Sequence, residues 1–177
     1  MGKPFRFQTY LLFHGANRLP TLPFWRTKTL DQMTRDEWES LCDGCAKCCL
    51  IKFEDEDTSR IYHTNVVCEL LDIYHCRCTS YKNRSILMPT CLTLTPELAS
   101  SLRWMPETCA YRLLAEGKDL PLWHPLVSGN SQSVHKAGAS VRGKVVSARD
   151  VDDDDLPDYV VDEDEDSTEN SQNTEKP

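Results

Sequence analysis

The chain has 177 residues, 27% of them charged, and a formal net charge of −8. Twelve acids and one lysine lie from Val151 onward, so the remainder carries +3 and offers no basic stripe for nucleic acid. No stretch approaches the roughly 20 apolar residues of a membrane span, and Lys3 and Arg6 precede only Tyr10-Leu11-Leu12-Phe13, too short a run for a secretory signal.

Residues 1–22 contain Pro4, Gly15 and Pro20 without helical or strand periodicity, and are expected to be a flexible extension. Order is expected from Pro23-Phe24-Trp25 onward. Thr34-Arg35-Asp36-Glu37 has the form of a capping box. It predicts a short helix from Arg35 to about Leu41, with Trp38 in the core and Cys42 delivered at the C-terminal end. Ile51-Lys52-Phe53 and Arg60-Ile61-Tyr62 alternate in polarity around the run Glu54 to Ser59, which predicts a small hairpin with an acidic tip. That tip lacks the glycine and terminal glutamate of a calcium loop. Val66 to Leu71 fits a strand or a helical turn equally.

Thr95-Pro96-Glu97 is a helix start, with Leu98, Leu102 and Met105 as its buried stripe. A second helix is predicted from near Pro106 to Gly117, with Cys109, Leu113 and Glu116 on one face and Leu114 extending the stripe. Asp119 to Leu126 reads as an extended segment packed over the domain. Asn130 is placed as the cap of a helix running through His135, and Ala139 to Ala148 as a final strand. From Asp150 the chain is acidic and poor in apolar residues, and is expected to be a disordered tail. The expected organisation is therefore an extension at 1–22, one domain at 23–149 and a tail at 150–177.

All nine cysteines fall between Cys42 and Cys109. Four lie in the eight positions of Cys42-Asp-Gly-Cys45-Ala-Lys-Cys48-Cys49. Clustered thiols serve to hold zinc or an iron–sulfur cluster. On a continuous helix the first and third of the Cys-x-x-Cys-x-x-Cys run would diverge by about 120°, so they converge only if the backbone coils as a loop, which Gly44 and Ala46 permit. Cys49 follows Cys48 without a gap, and adjacent side chains point apart, which gives the two thiols different metals or different roles. The second group is Cys68, Cys76, Cys78 and Cys91. Extended chain puts Cys76 and Cys78 on one face. Four ligands close one tetrahedral site, so these eight cysteines suffice for two. Cys109 is placed as a small buried hydrophobe. His75, beside Cys76, is the histidine placed to substitute for a thiolate, but His75, His63 and His124 are each read as structural. Arg84 is read either as offsetting thiolate charge or as one half of a surface ion pair. An odd number of thiols argues against a closed disulfide scaffold and for the cytoplasm.

Cys42-x-x-Cys45-x-x-Cys48-Cys49, then Cys68, Cys78-x-x-Tyr81-x-x-Arg84 and Cys91, resemble the YkgJ-type cysteine-cluster family, regarded as zinc- or iron-chelating. Within it, Glu37 to Cys45, Thr108 to Pro121 and Trp123-His124-Pro125-Leu126 are similar to the YcgN subgroup. The resemblance covers about Pro23 to Val146. It implies a small bacterial cytoplasmic protein whose grouped cysteines chelate metal.

The expected fold is α+β, a small irregular metal-stabilised domain with several short helices and a minor β-hairpin. The expected ligands are Cys42, Cys45, Cys48, Cys49, Cys68, Cys76, Cys78 and Cys91, holding zinc or an iron–sulfur cluster in an accessory or structural role, with a protein as the partner to seek. The rival readings are an iron–sulfur-dependent redox or methyl-transfer enzyme and a thiol-based redox sensor. No glycine-rich loop for a methyl donor is present in the sequence.

Overall fold

The computed structural model describes residues 22–101 and 104–161. The helices among them are short: α1 (Phe24–Thr27), α2 (Arg35–Ser40), α3 (Arg84–Leu87), α4 (Pro96–Ala99), α5 (Ala110–Ala115), α6 (Pro125–Ser128) and α7 (Ser133–Lys136). The strands are β1 (Leu50–Glu54), β2 (Ile61–Val67), β3 (Leu71–Asp72), β4 (Arg77–Cys78), β5 (Val146–Ser147) and β6 (Val160–Val161). This is a small α+β fold.

Local chemistry explains the elements that form where expected. Thr34 accepts from the Glu37 N–H at 3.3 Å, and the Glu37 carboxylate accepts from the Thr34 N–H at 2.8 Å, closing the capping box of α2. Thr95 caps α4 through the Leu98 N–H, and Pro96 occupies the first turn. β1 and β2 form the hairpin, antiparallel, with Lys52 opposite His63 and Phe53 opposite Tyr62. At its tip the Asp55 carboxylate accepts from the backbone N–H groups of Asp57 and Thr58 and from the Thr58 hydroxyl. The acids there are turn formers.

The hairpin carries a bulge between Leu50 and Lys52, where the register passes from Val67 to His63. Thr64, fully buried, repairs it. Its hydroxyl donates to the Ile51 carbonyl at 3.0 Å and accepts from the Val66 N–H at 3.1 Å. The outer edge of β2 is shared by two strands, β5 in parallel at Val66 and Val67 and β6 antiparallel at His63 and Thr64. A separate ribbon pairs Leu71 of β3 with Cys78 of β4. Val66 and Val67 are thus strand, and the chain turns before Leu71.

Several expectations need correction. Residues 150–161 are built into the fold, because Val151, Leu156, Tyr159 and Val160 interrupt the acids with side chains that become half-buried. Asp153–Tyr159 is a 3-10 helix that leads into β6. The rest of the expected tail, and residues 1–21 of the expected extension, lie outside the described residues. The second predicted helix begins at Ala110, because Cys109 has extended backbone angles and caps it. Its buried face is Ala110 and Tyr111. α4 stops at Ala99, so Ala99 and Met105 are buried from different segments, and Leu102 lies outside the described residues. The final strand reduces to Val146–Ser147, and α6 interrupts the segment expected to be extended to Leu126.

Two apolar clusters result. One gathers Leu41, Ala99, Met105, Ala110, Tyr111 and Leu120, with Trp38 and Cys109 packed against it. The other gathers Ala46, Val67, Leu71, Cys76 and Val141 beside the sheet. Leu41 and Ala46 belong to different clusters, so the chain between them bridges the two halves of the core.

Candidate metal centre

That bridge is the cysteine loop. α2 ends at Leu41, which is fully buried and is worth about 1.5–3 kcal/mol as a hydrophobic anchor. The next residue is Cys42. The Asp43 carboxylate then accepts from the Cys45 N–H at 2.9 Å and tightens the turn. Gly44 has φ +79°, a conformation costly for a residue with a Cβ, and the Arg77 guanidinium lies against it. Ala46 is also left-handed, at φ +60°. A 3-10 turn, Lys47–Cys49, feeds directly into β1. The loop expected from Gly44 and Ala46 is therefore present, and both residues provide its reversals of hand.

Distant segments hold it in place. His124, fully buried, donates from Nε2 to the Leu41 carbonyl at 3.0 Å and accepts at Nδ1 from the Leu126 N–H at 3.1 Å. Both ring nitrogens are thus satisfied, which fits the expected structural role. The Val141 N–H donates to the Cys45 carbonyl, and the Cys68 N–H to the Cys49 carbonyl, each at 2.9 Å. Tyr111 donates its hydroxyl to the Trp38 carbonyl at 2.9 Å. Tyr81 donates to the Glu39 carboxylate at 2.7 Å, latching the segment after β4 onto α2. Arg84 stacks 3.9 Å from the Tyr81 ring centroid and donates to the Tyr81 carbonyl.

Electrostatics link the thiols. Burial is the main force raising the Cys42 thiol, to about 12, with the Cys48 charge adding to it and Arg77 opposing it. Solvent still reaches the Cys42 and Cys48 side chains, although protein crowds around them. Cys45 is pushed up by burial first, then by Asp43, Cys48 and Cys42. Cys48 is drawn down by a hydrogen bond from Cys49 and by Lys52, and Cys49 is driven up as the partner that keeps its proton. The two thiols belong to consecutive residues of the 3-10 turn and are electrostatically linked. Cys91, raised mainly by burial, feels Cys68, Cys48 and Cys78, with Arg84 opposing. Cys109 is pushed up to about 11 by burial, and Cys48 and Asp43 add to the rise.

Of the eight expected ligands, Cys42, Cys45, Cys48, Cys49, Cys68, Cys78 and Cys91 each lie within electrostatic reach of at least one other. The eighth, Cys76, is 3% exposed in the sheet-side cluster, with its thiol 3.9 Å from the Ile73 carbonyl and its charged neighbours Arg142 and Asp72. Its φ of +52° turns it away from the alternation that would have set it beside Cys78. His75 is exposed and pairs with Asp72 at 2.7 Å. Cys109, read from sequence as a buried hydrophobe, is partly buried and packs against the helical cluster.

Four charged residues shape the site. Lys52 lies 4.9 Å from the Trp104 ring centroid and donates to the Leu50 carbonyl at 2.7 Å. Burial lowers its ammonium, and Cys48, Cys49 and Cys45 pull it back up. Arg77 adds a second cation beside Cys42, and Arg84 a third beside Cys91. Asp43 is 6% exposed, and its Oδ2 has no hydrogen-bond partner. A lysine inside the apolar run Leu50 to Phe53, and Asp-Gly between two cysteines, were the available sequence signals.

The donor set fits a soft or borderline metal: many thiols, three cations to offset them and an orphaned carboxylate oxygen. Among the described residues, no three His, Cys, Asp or Glu side chains already stand at ion-holding separation.

The sequence has relatives of the same kind. It is 58% identical over 139 residues to a UPF0260 protein of Parvibaculum lavamentivorans, covering 78% of this chain and 91% of that one. The chain belongs to the UPF0260 family. A UPF0260 protein of Brucella melitensis is 57% identical over 141 residues, covering 78% and 93%, and one of Granulibacter bethesdensis 54% over 140 residues, covering 79% and 83%. Residues 41–110 match the family model CxxCxxCC, described as "Putative zinc- or iron-chelating domain". That segment runs from the residue before Cys42 to the residue after Cys109. No solved structure matches the chain. Among the described residues, no helix is long and apolar enough to cross a membrane. A metal-binding role follows for this domain.

Proposed function

We propose that this protein holds zinc or an iron–sulfur cluster through its clustered thiolates, in an accessory or structural role. The observation that supports the reading is the coiled loop at 42–49, which carries four thiols and is bonded through the Cys49 carbonyl to Cys68 of a separate segment. Cys42, Cys45, Cys48, Cys49, Cys68, Cys78 and Cys91 supply the thiolates, and Lys52, Arg77 and Arg84 offset their charge. A bound metal ties the two halves of the core together, so metal binding contributes to folding free energy. Nine clustered cysteines, an odd number, suit ligands in a reducing compartment, and the cytoplasm is the setting we assign.

Anaerobic purification followed by an absorption spectrum and elemental analysis tests this reading. Iron with labile sulfide and a broad band near ~400 nm identifies a cluster and directs attention to electron transfer or cluster delivery. Colourless protein with zinc identifies a structural or interaction module, and the search then turns to a protein partner. Protein free of both metals, with all nine thiols open to reagent in its native state, would refute the proposal.

A further inference from the structure

Resting on that reading, we propose that residues 80–93, which carry Cys91, form a strap that Tyr81 latches to Glu39, and that this strap lifts to admit metal to the thiols and closes over it.

Both ends of the strap are fixed and its middle is not. At one end the Thr79 N–H and hydroxyl donate to the Leu70 carbonyl at 2.8 and 2.9 Å. At the other, Leu94 packs on the helical cluster and Thr95 caps α4. No residue from Arg77 to Leu98 is buried. Ile86, Leu87 and Leu92 are 78%, 53% and 49% exposed, so the apolar side chains of the strap do not hold it down. Its backbone bonds are local, from the Asn83 N–H to Ser80, the Met88 N–H to Arg84 and the Cys91 N–H to Met88. α3 has four residues, too few to be stable alone. Segments with little burial and only local bonds open at small cost in free energy.

Among the described residues, a single hydrogen bond ties the strap to the rest of the protein, from the Tyr81 hydroxyl to the Glu39 carboxylate at 2.7 Å. The Glu39 carbonyl accepts from the Cys42 N–H at 3.4 Å, so the latch closes beside the first thiol of the loop. Arg84 stacks on the Tyr81 ring and donates to the Tyr81 carbonyl at 2.6 Å, which braces the ring. Cys78-x-x-Tyr81-x-x-Arg84 thus places a thiol at the root of the strap, then the latch, then its brace.

Binding calls for movement, because no three donor side chains among the described residues already stand at ion-holding separation. The loop is held through the carbonyls of Leu41, Cys45 and Cys49, and Cys78 through its pairing with Leu71. The Cys91 N–H bonds only to Met88, three residues earlier. Cys91 can therefore travel while the loop stays.

Amide exchange in the metal-free full-length chain tests the strap without metal. The amides of Asn83, Met88 and Cys91 should exchange faster than that of Val66 in β2. Tyr81→Phe keeps the ring and removes the hydroxyl. It should speed the strap amides about tenfold and leave Val66 unchanged. Glu39→Gln keeps an acceptor and should fall between the wild type and Glu39→Ala. Strap amides as protected as Val66, or unmoved by Tyr81→Phe, would overturn the strap. Zinc is the probe for its purpose, loaded anaerobically and then transferred to a chromophoric chelator. Zinc should slow exchange at Cys91. Tyr81→Phe should release zinc about tenfold faster with the zinc count unchanged. Equal exchange at Cys91 with and without zinc, or equal release from both proteins, would overturn the closure. A wild type that takes up neither zinc nor iron would overturn the metal-binding reading itself, and the exchange pattern of the metal-free chain distinguishes that failure from failure of the strap.

Discussion

His124 shows how a single side chain can govern a site it does not enter. Its ring joins the Leu41 carbonyl, one residue before Cys42, to the Leu126 N–H, and it is fully buried. His124→Gln leaves at least one of those backbone groups unpaired in the core and should cost about 1–3 kcal/mol, read as a lower denaturation midpoint. Burial holds the ring's pKa below 6.5, so between the folded and unfolded values the unfolded chain binds the extra proton. Stability is then full above about pH 6.5 and declines as the pH falls towards the folded value. The variant should lose that part of the acid slope relative to the wild type, and an identical slope in both would remove His124 from the account. Gly44 is a second such residue. A Cβ there would meet Arg77 at 3.5 Å, an ordinary contact, so the penalty of Gly44→Ala comes from its φ of +79°. It should cost about 1–2 kcal/mol and reduce metal retained on dialysis.

At the scale of elements, capping chemistry was readable because it is local. Thr34 with Glu37, and Thr95 with Pro96, act within one turn, and both helices start where those residues place them. Helix ends were less legible, because α4 has little intrinsic stability at four residues and stops where tertiary packing no longer supports it. The bulge in the hairpin was invisible for another reason: alternation in β1 and β2 looks regular, and only pairing reveals the register shift. Thr64→Val tests its repair. The change keeps the shape but removes the bonds to Ile51 and Val66, so it should cost about 1–3 kcal/mol and speed amide exchange at Val66. Protection unchanged at that amide would show that the hydroxyl does not hold the bulge.

Over the whole molecule, the loop at 42–49 is the seam between a helical and a sheet-side cluster, and metal bound there would clamp both. The outer edge of β2 is covered by β5 and β6 from the C-terminal part of the chain. Deleting residues 152–177 removes β6 and bares backbone groups at His63 and Thr64. The shortened protein should melt at a lower temperature and scatter more light as its concentration rises, because an open strand edge pairs with other chains. Equal melting and scattering would mean that β6 contributes nothing to the sheet.

Local chemistry was enough to announce the thiol cluster, the coiled loop that Gly44 and Ala46 allow, the two capped helix starts and the hairpin, since each depends on residues a few positions apart. The partners of the loop were beyond its reach. Cys76 and Cys109 differ little as letters, yet a left-handed backbone at Cys76 places one in the sheet-side core, and the cap of α5 sets the other against the helical cluster. Arg77 and His124 act on the loop from segments far along the chain, and Lys52 reaches back to it from the adjoining strand β1. Such contacts arise from the packing of two clusters against one seam, and pairwise distance in space has no counterpart in the spacing of residues along the chain.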